Sequence, residues 1–163
     1  MTREYWVIDA LALMSVLLLA AAARISGTRV ALFAFLAAQA ISWPTTILLV
    51  CKGSIVSPVR LFPAATDSNL IMAFVFVPAA FAAHYTYYPL HAGRLVRMVF
   101  TLTVTGAVAL VHVAVHHYTA LLDYIDFSGY WLWLITLALF YALRIYSDWY
   151  FSHFARLRAG NQQ

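Results

Sequence analysis

The chain points to an all-α, polytopic membrane helix bundle. It reads as one integral membrane domain over residues 1–163, with five transmembrane helices, the N-terminus outside and the C-terminus cytoplasmic. Three observations carry this expectation. Of the 163 residues, 64% are hydrophobic and only 10% charged, against roughly a quarter charged in soluble domains. Five apolar runs each approach the roughly 20 residues that one crossing takes. The cations stand singly at the ends of those runs, as topology signals do. A β-barrel needs alternating segments of about 10 residues; these runs are longer and apolar on every face, so helices are expected.

The first run, from about Tyr5 to Ala23, carries Asp9 near its start and closes on Arg24. Arg3 and the small residues Ala21, Ala22 and Ala23 resemble a leader, but Glu4 and Asp9 spoil a basic one, and a retained first helix is expected. Ile25 to Arg29 is long enough only for a tight turn. The second helix then runs from about Val30 to Cys51, with Ala31, Ala34, Ala37, Ala38 and Ala40 permitting close backbone approach. Pro44 predicts a kink near Ser42 and Trp43, its freed carbonyls taken by Thr45 or another helix.

Lys52 to Asn69, with Gly53, Pro58 and Pro63, is the longest connection. The third span, from about Leu70 to Tyr88, has Pro78 at its middle and Ser68 or Asn69 as N-terminal caps. The fourth runs from about Met98 to Tyr118. The fifth, from about Tyr130 to Phe151, is flanked by Tyr130, Trp131 and Trp133 at one end and Tyr146, Trp149 and Tyr150 at the other, the pattern of interfacial belts.

Orientation follows from the cations. One side holds Arg24, Arg29, Arg94, Arg97, Arg156 and Arg158, the other only Arg3, Lys52 and Arg60, and the richer side belongs in the cytoplasm. This scatter also excludes a nucleic-acid partner, despite a net charge of +4 and a pI near 9.4. The expected partners are the bilayer itself and a membrane protein or a second copy of the chain. The single Cys51 excludes thiol relays, CxxC zinc sites and disulfide frameworks.

Ionisable groups at membrane depth are the candidate chemistry, since each costs about 2.5 to 3.5 kcal/mol at a helix centre. His112 and His116 stand one turn apart on one helix face, a spacing by which two imidazoles grip one metal; His117 is rotated about 100° away. His112 falls roughly 9 Å below the outer end of its span. Asp9 falls at similar depth on the first helix, so His112, His116 and Asp9 form a candidate site for a divalent ion or a proton relay. The alternative places the histidines among headgroups and neighbouring helices, with no cofactor. A second candidate is the outer loop, where Arg60 and Asp67 would face a ligand, or where Thr66, Asp67 and Ser68 merely cap the next helix. Arg144 and Asp148, four apart, read as a local pair reaching the interface, and the tail as an anchor on anionic lipid.

The loop Phe62 to Ser68, the span with Pro78, the HYTYYP segment from His84 to Pro89 and the closing aromatic span together resemble a family of small multi-pass membrane proteins of unknown function from spore-forming Firmicutes. The resemblance covers roughly Pro58 to Phe151. That family commonly has an acidic residue before the Phe-Pro pair and another in the fourth span, where this chain has Leu61 and its histidines. The resemblance implies a bacterial cell membrane and no particular reaction. The five-span outline is similar to the tryptophan-rich sensory proteins too, but Trp43-Pro44 alone does not carry their signature.

No nucleophile with a base, no spaced acid-base pair and no phosphate-binding glycine loop can be read, which leans against an enzyme. The leading expectation is a non-enzymatic accessory or sporulation-related membrane component. The alternative is a small transporter, or a metal or proton carrier.

Overall fold

A computed structural model describes residues 3–59 and 71–160, with side chains to His153. Arg60, Asp67 and the expected caps Ser68 and Asn69 lie outside the described residues, as do the side chains of Arg156 and Arg158. The architecture is all-helical: α1 (Arg3–Ser26), α2 (Thr28–Cys51), a π-helical segment (Ile71–Phe76) leading into α3 (Val77–Tyr87), α4 (Arg94–Tyr118) and α5 (Gly129–Gly160). Two short strands, β1 (Ile55–Val56) and β2 (Asp123–Tyr124), pair antiparallel, Ile55 facing Tyr124 and Val56 facing Asp123.

Four helices, α1, α2, α4 and α5, are long and apolar enough to cross a membrane. Their outward faces are greasy, with Leu13, Leu17, Leu36, Leu48, Leu95 and Leu110 all exposed. Ser15, Ser42, His84, Thr105, His112, Thr136, Arg144 and Ser147 are buried instead. An apolar surface over a partly polar interior reverses the arrangement of a protein folded in water.

The third apolar run behaves differently from the other four. Its eleven residues of α-helix follow six of π-helix, and every residue from Val77 to His84 is buried. A helix apolar on all sides belongs inside, and α1 and α2 both pack along it. Pro78 stands near the middle of this continuous helical run, as expected, where the π-helical segment passes into the first turn of α3. Proline offers no N–H, so the carbonyl it would pair with, four residues back in α-helical register or five back in π register, lacks that donor. Both acceptors are capped from α2: Gln39 Nε2 donates to Phe74 O at 2.9 Å and Ser42 Oγ to Ala73 O at 2.7 Å. The small buried face Ala31, Ala34, Ala38 and Ser42 is what lets α2 come that close.

Helix α2 is continuous through Pro44, while Thr45 and Thr46 bond back to Ile41 O and Ser42 O within their own helix. Helix α4 begins at Arg94, one turn earlier than expected from hydropathy, and α5 runs on to Gly160.

The connections sort the molecule into two ends. Gly27 alone separates α1 from α2, at a φ of 85° that glycine adopts without a steric penalty. Thr86 Oγ1, at the end of α3, donates to Ser26 Oγ at 3.1 Å, so these turns share one end. At the other end β1 pairs with β2, Val59 N donates to Ala120 O and Ile125 N to Ser54 O, which clasps the two long connections together.

Candidate functional site

Polar groups gather at each end of the bundle. At the clasp end, His112 is buried against Phe76, and its Nδ1–H donates to Val108 O at 2.9 Å. One turn on, His116 directs Nδ1 at Leu122 O (3.3 Å) and Asp123 Oδ1 (3.4 Å), with its ring stacked on Tyr124 at 4.5 Å. Carbonyl acceptors at both Nδ1 atoms leave each Nε2 as the lone-pair nitrogen, the tautomer that suits metal ligation. His112 and Tyr124 line a cavity of about 40 Å³ together with Thr46 and Ser57. Tyr124 Oη has no hydrogen-bond partner among the described residues, and burial pushes this hydroxyl above its ordinary range.

Asp9 does not join them. It is exposed on α1, whose buried face runs through Ile8, Leu11, Ser15 and Ala22. Among the described residues no three His, Cys, Asp or Glu side chains are grouped to share a metal ion. His117 is exposed, its ring 5.0 Å from that of His116.

The opposite end holds a denser cluster. The last turn of α3 delivers His84, Tyr85 and Tyr88 against Phe140, Arg144 and Asp148 of α5 and Phe100 and Thr101 of α4. Arg144 does form the expected pair, Nη2 to Asp148 Oδ2 at 3.6 Å, but it does not reach out to the interface. It is 91% buried, with its guanidinium carbon 3.4 Å from the ring centroid of Tyr88 and 5.2 Å from that of Tyr85. Tyr85 Oη donates to Asp148 Oδ1 at 3.1 Å. A cation held on two aromatic faces and shielded from water is worth about 2 kcal/mol.

His84 closes the cluster. Thr101 spends its one proton on Arg97 O at 3.1 Å, so its Oγ1 accepts from His84 Nε2 at 3.1 Å. Nδ1 is then a bare acceptor, while Arg144 Nη1 is a bare donor; neither has a partner among the described residues. Both side chains lean on the same Tyr88 ring. Two grooves reach this cluster. One, of about 380 Å³ and almost wholly apolar, is lined by His84 with Met14, Leu18, Phe76 and Phe100. The other, of about 770 Å³, lies between α4 and α5 and takes in Tyr88 and Thr101.

Sequence spacing found Arg144 with Asp148, and His112 with His116, because both pairs are helix neighbours. It missed the joining of His84, Tyr88 and Arg144, which lie on different helices. The one available signal was the cost of placing an arginine eight residues inside an apolar run.

Comparison of the chain with protein-family models, with curated proteins and with solved structures finds no match.

Proposed function

We propose that the chain is a multi-pass integral membrane protein with five spans, N-terminus outside and C-terminus cytoplasmic, working as a non-enzymatic accessory component of a bacterial cell membrane. The observation that carries this reading is how the deep polar groups are used. Gln39 and Ser42 cap carbonyls of the π-helical segment, Thr105 Oγ1 accepts from Trp133 Nε1 at 3.2 Å, and Arg144 is held between α3 and α5. Each holds one helix to another. The third run supplies the fifth crossing: at roughly 25 Å it is shorter than the hydrocarbon core of about 30 Å, and its neighbours bury every residue from Val77 to His84.

The orientation has a direct test. Cys51 is exposed at the clasp end of α2, and a membrane-impermeant thiol reagent should label it in intact cells. Labelling that requires opened cells would reverse the orientation. An added cysteine at Ala92, between α3 and α4, should give the opposite pattern.

A second reading, a metal or proton carrier at the outer end, is favoured by the lone-pair Nε2 of both His112 and His116 and by the small cavity that His112 lines with Thr46, Ser57 and Tyr124. It would use a divalent ion as cargo. Titration of the purified protein with Zn²⁺ or Co²⁺ should then show binding that is lost when His112→Ala is combined with His116→Ala. Equal binding by both proteins removes this reading.

A further inference from the structure

Where the groove between α4 and α5 meets the end of the bundle, its lining changes character. Arg94 and Arg97 stand at its mouth beside Tyr88 and Thr101, and above them the walls are Met98, Leu102, Leu134, Leu137 and Ala138. Its volume of about 770 Å³ falls within the range of small-molecule sites. Neither arginine has an acidic partner among the described residues, and the ion pairs found there lie elsewhere, at His116 with Asp123 and Arg144 with Asp148. Gly93, at the N-cap of α4, brings no side chain to the first amides of the helix, which leaves them open to an outside acceptor.

We propose that this groove binds an anionic phospholipid, with the phosphate on Arg94 and Arg97 and one acyl chain along the apolar trough. Charge complementarity selects the headgroup: two unneutralised guanidinium groups and a helix N-terminus all attract a phosphate. The trough selects a lipid over a free anion, because a small phosphate has no use for five apolar walls. The trough opens sideways, with Met98 and Tyr141 exposed at its edges, so a chain in the bilayer enters without leaving it. The site rests on the membrane-spanning reading above and not on its orientation, which Cys51 labelling decides separately.

The test is native mass spectrometry of the full chain purified in detergent, with phosphatidylglycerol and phosphatidylcholine added in turn. The native sequence should retain phosphatidylglycerol about tenfold more strongly than phosphatidylcholine. Arg94→Ala with Arg97→Ala should abolish that preference, and Arg94→Lys with Arg97→Lys should keep most of it. Ala138→Phe, which fills the trough and leaves both charges in place, should weaken retention of both lipids. Arg3→Ala with Lys52→Ala, at the opposite end, should change nothing. No headgroup preference in the native protein, or equal preference after loss of both arginines, overturns the proposal. Displacement of phosphatidylglycerol by millimolar inorganic phosphate makes a free anion the occupant and overturns it too. Should the double alanine variant not fold, Ala138→Phe and the lysine pair carry the test.

Discussion

The two ends of the bundle each hold a buried histidine on an apolar helix, and they treat it differently. At the clasp end His112 bonds to its own helix, at Val108 O, and His116 bonds to the adjoining loop. At the other end His84 of α3 bonds to Thr101 of α4, and Arg144 of α5 lies across Tyr88 at the end of α3. The clasp end is therefore closed by backbone, through β1 and β2. The other end is closed by side chains from three helices. Backbone closure tolerates substitution at its ring of side chains; side-chain closure does not.

The largest effect should come from Arg144→Ala. It removes the cation from Tyr85 and Tyr88 and leaves Asp148 with Tyr85 alone, at a cost of about 2 kcal/mol. Thermal unfolding in detergent measures it, and an unchanged midpoint would mean that this end is not held by Arg144. His112→Ala should cost less, about 1 kcal/mol, because the lost packing enlarges a cavity that already exists and Val108 O keeps its own helical environment. A cost equal to that of Arg144→Ala would erase the contrast between the ends.

Asp123→Asn tests the clasp more finely. With its carboxylate 61% exposed, the contact with His116 should contribute at most about 0.5 kcal/mol, and the β1–β2 hydrogen bonds should persist. Loss of the clasp, seen as faster amide exchange at Ile125, would show that side chains hold this end as well.

Tyr124→Phe should be the smallest change, neutral or slightly stabilising, since it deletes a buried hydroxyl with no partner among the described residues. It carries a pH signature. Burial raises the Tyr124 pKa in the folded state, so the neutral phenol's contribution is intact below the unfolded value of about 10 and is lost as pH rises above it. The native protein should lose stability above that pH more steeply than Tyr124→Phe. Parallel curves would place Tyr124 in water.

Much of the fold is legible in the residues. The four long helices fall where the apolar runs lie, and Gly27 marks the tight turn. Arg144 and Asp148 are paired by their spacing on one helix. What spacing cannot show is which face of each helix turns inward. Arg94 and Arg97 read as topology signals at a helix start; only their position beside the trough of α4 and α5 makes them headgroup ligands. Asp9, at a depth similar to His112, is on the exposed side of α1, because Ile8 and Leu11 take the buried side.

The sequence by itself determined that this chain is helical and apolar enough for a membrane, since backbone groups in an apolar medium must be satisfied within each helix and the side chains must match their surroundings. Those are local properties. The tertiary structure decided which helix stands in the middle and which polar groups meet. Pro78 withholds a backbone donor wherever α3 is placed, but only the small face of α2 lets Gln39 and Ser42 reach the carbonyls behind it. Arg144 carries its charge in any fold, but only α3 packed against α5 puts Tyr88 beneath it. Such meetings depend on side chains from separate helices arriving within a few ångströms of one another, and that distance is set by packing.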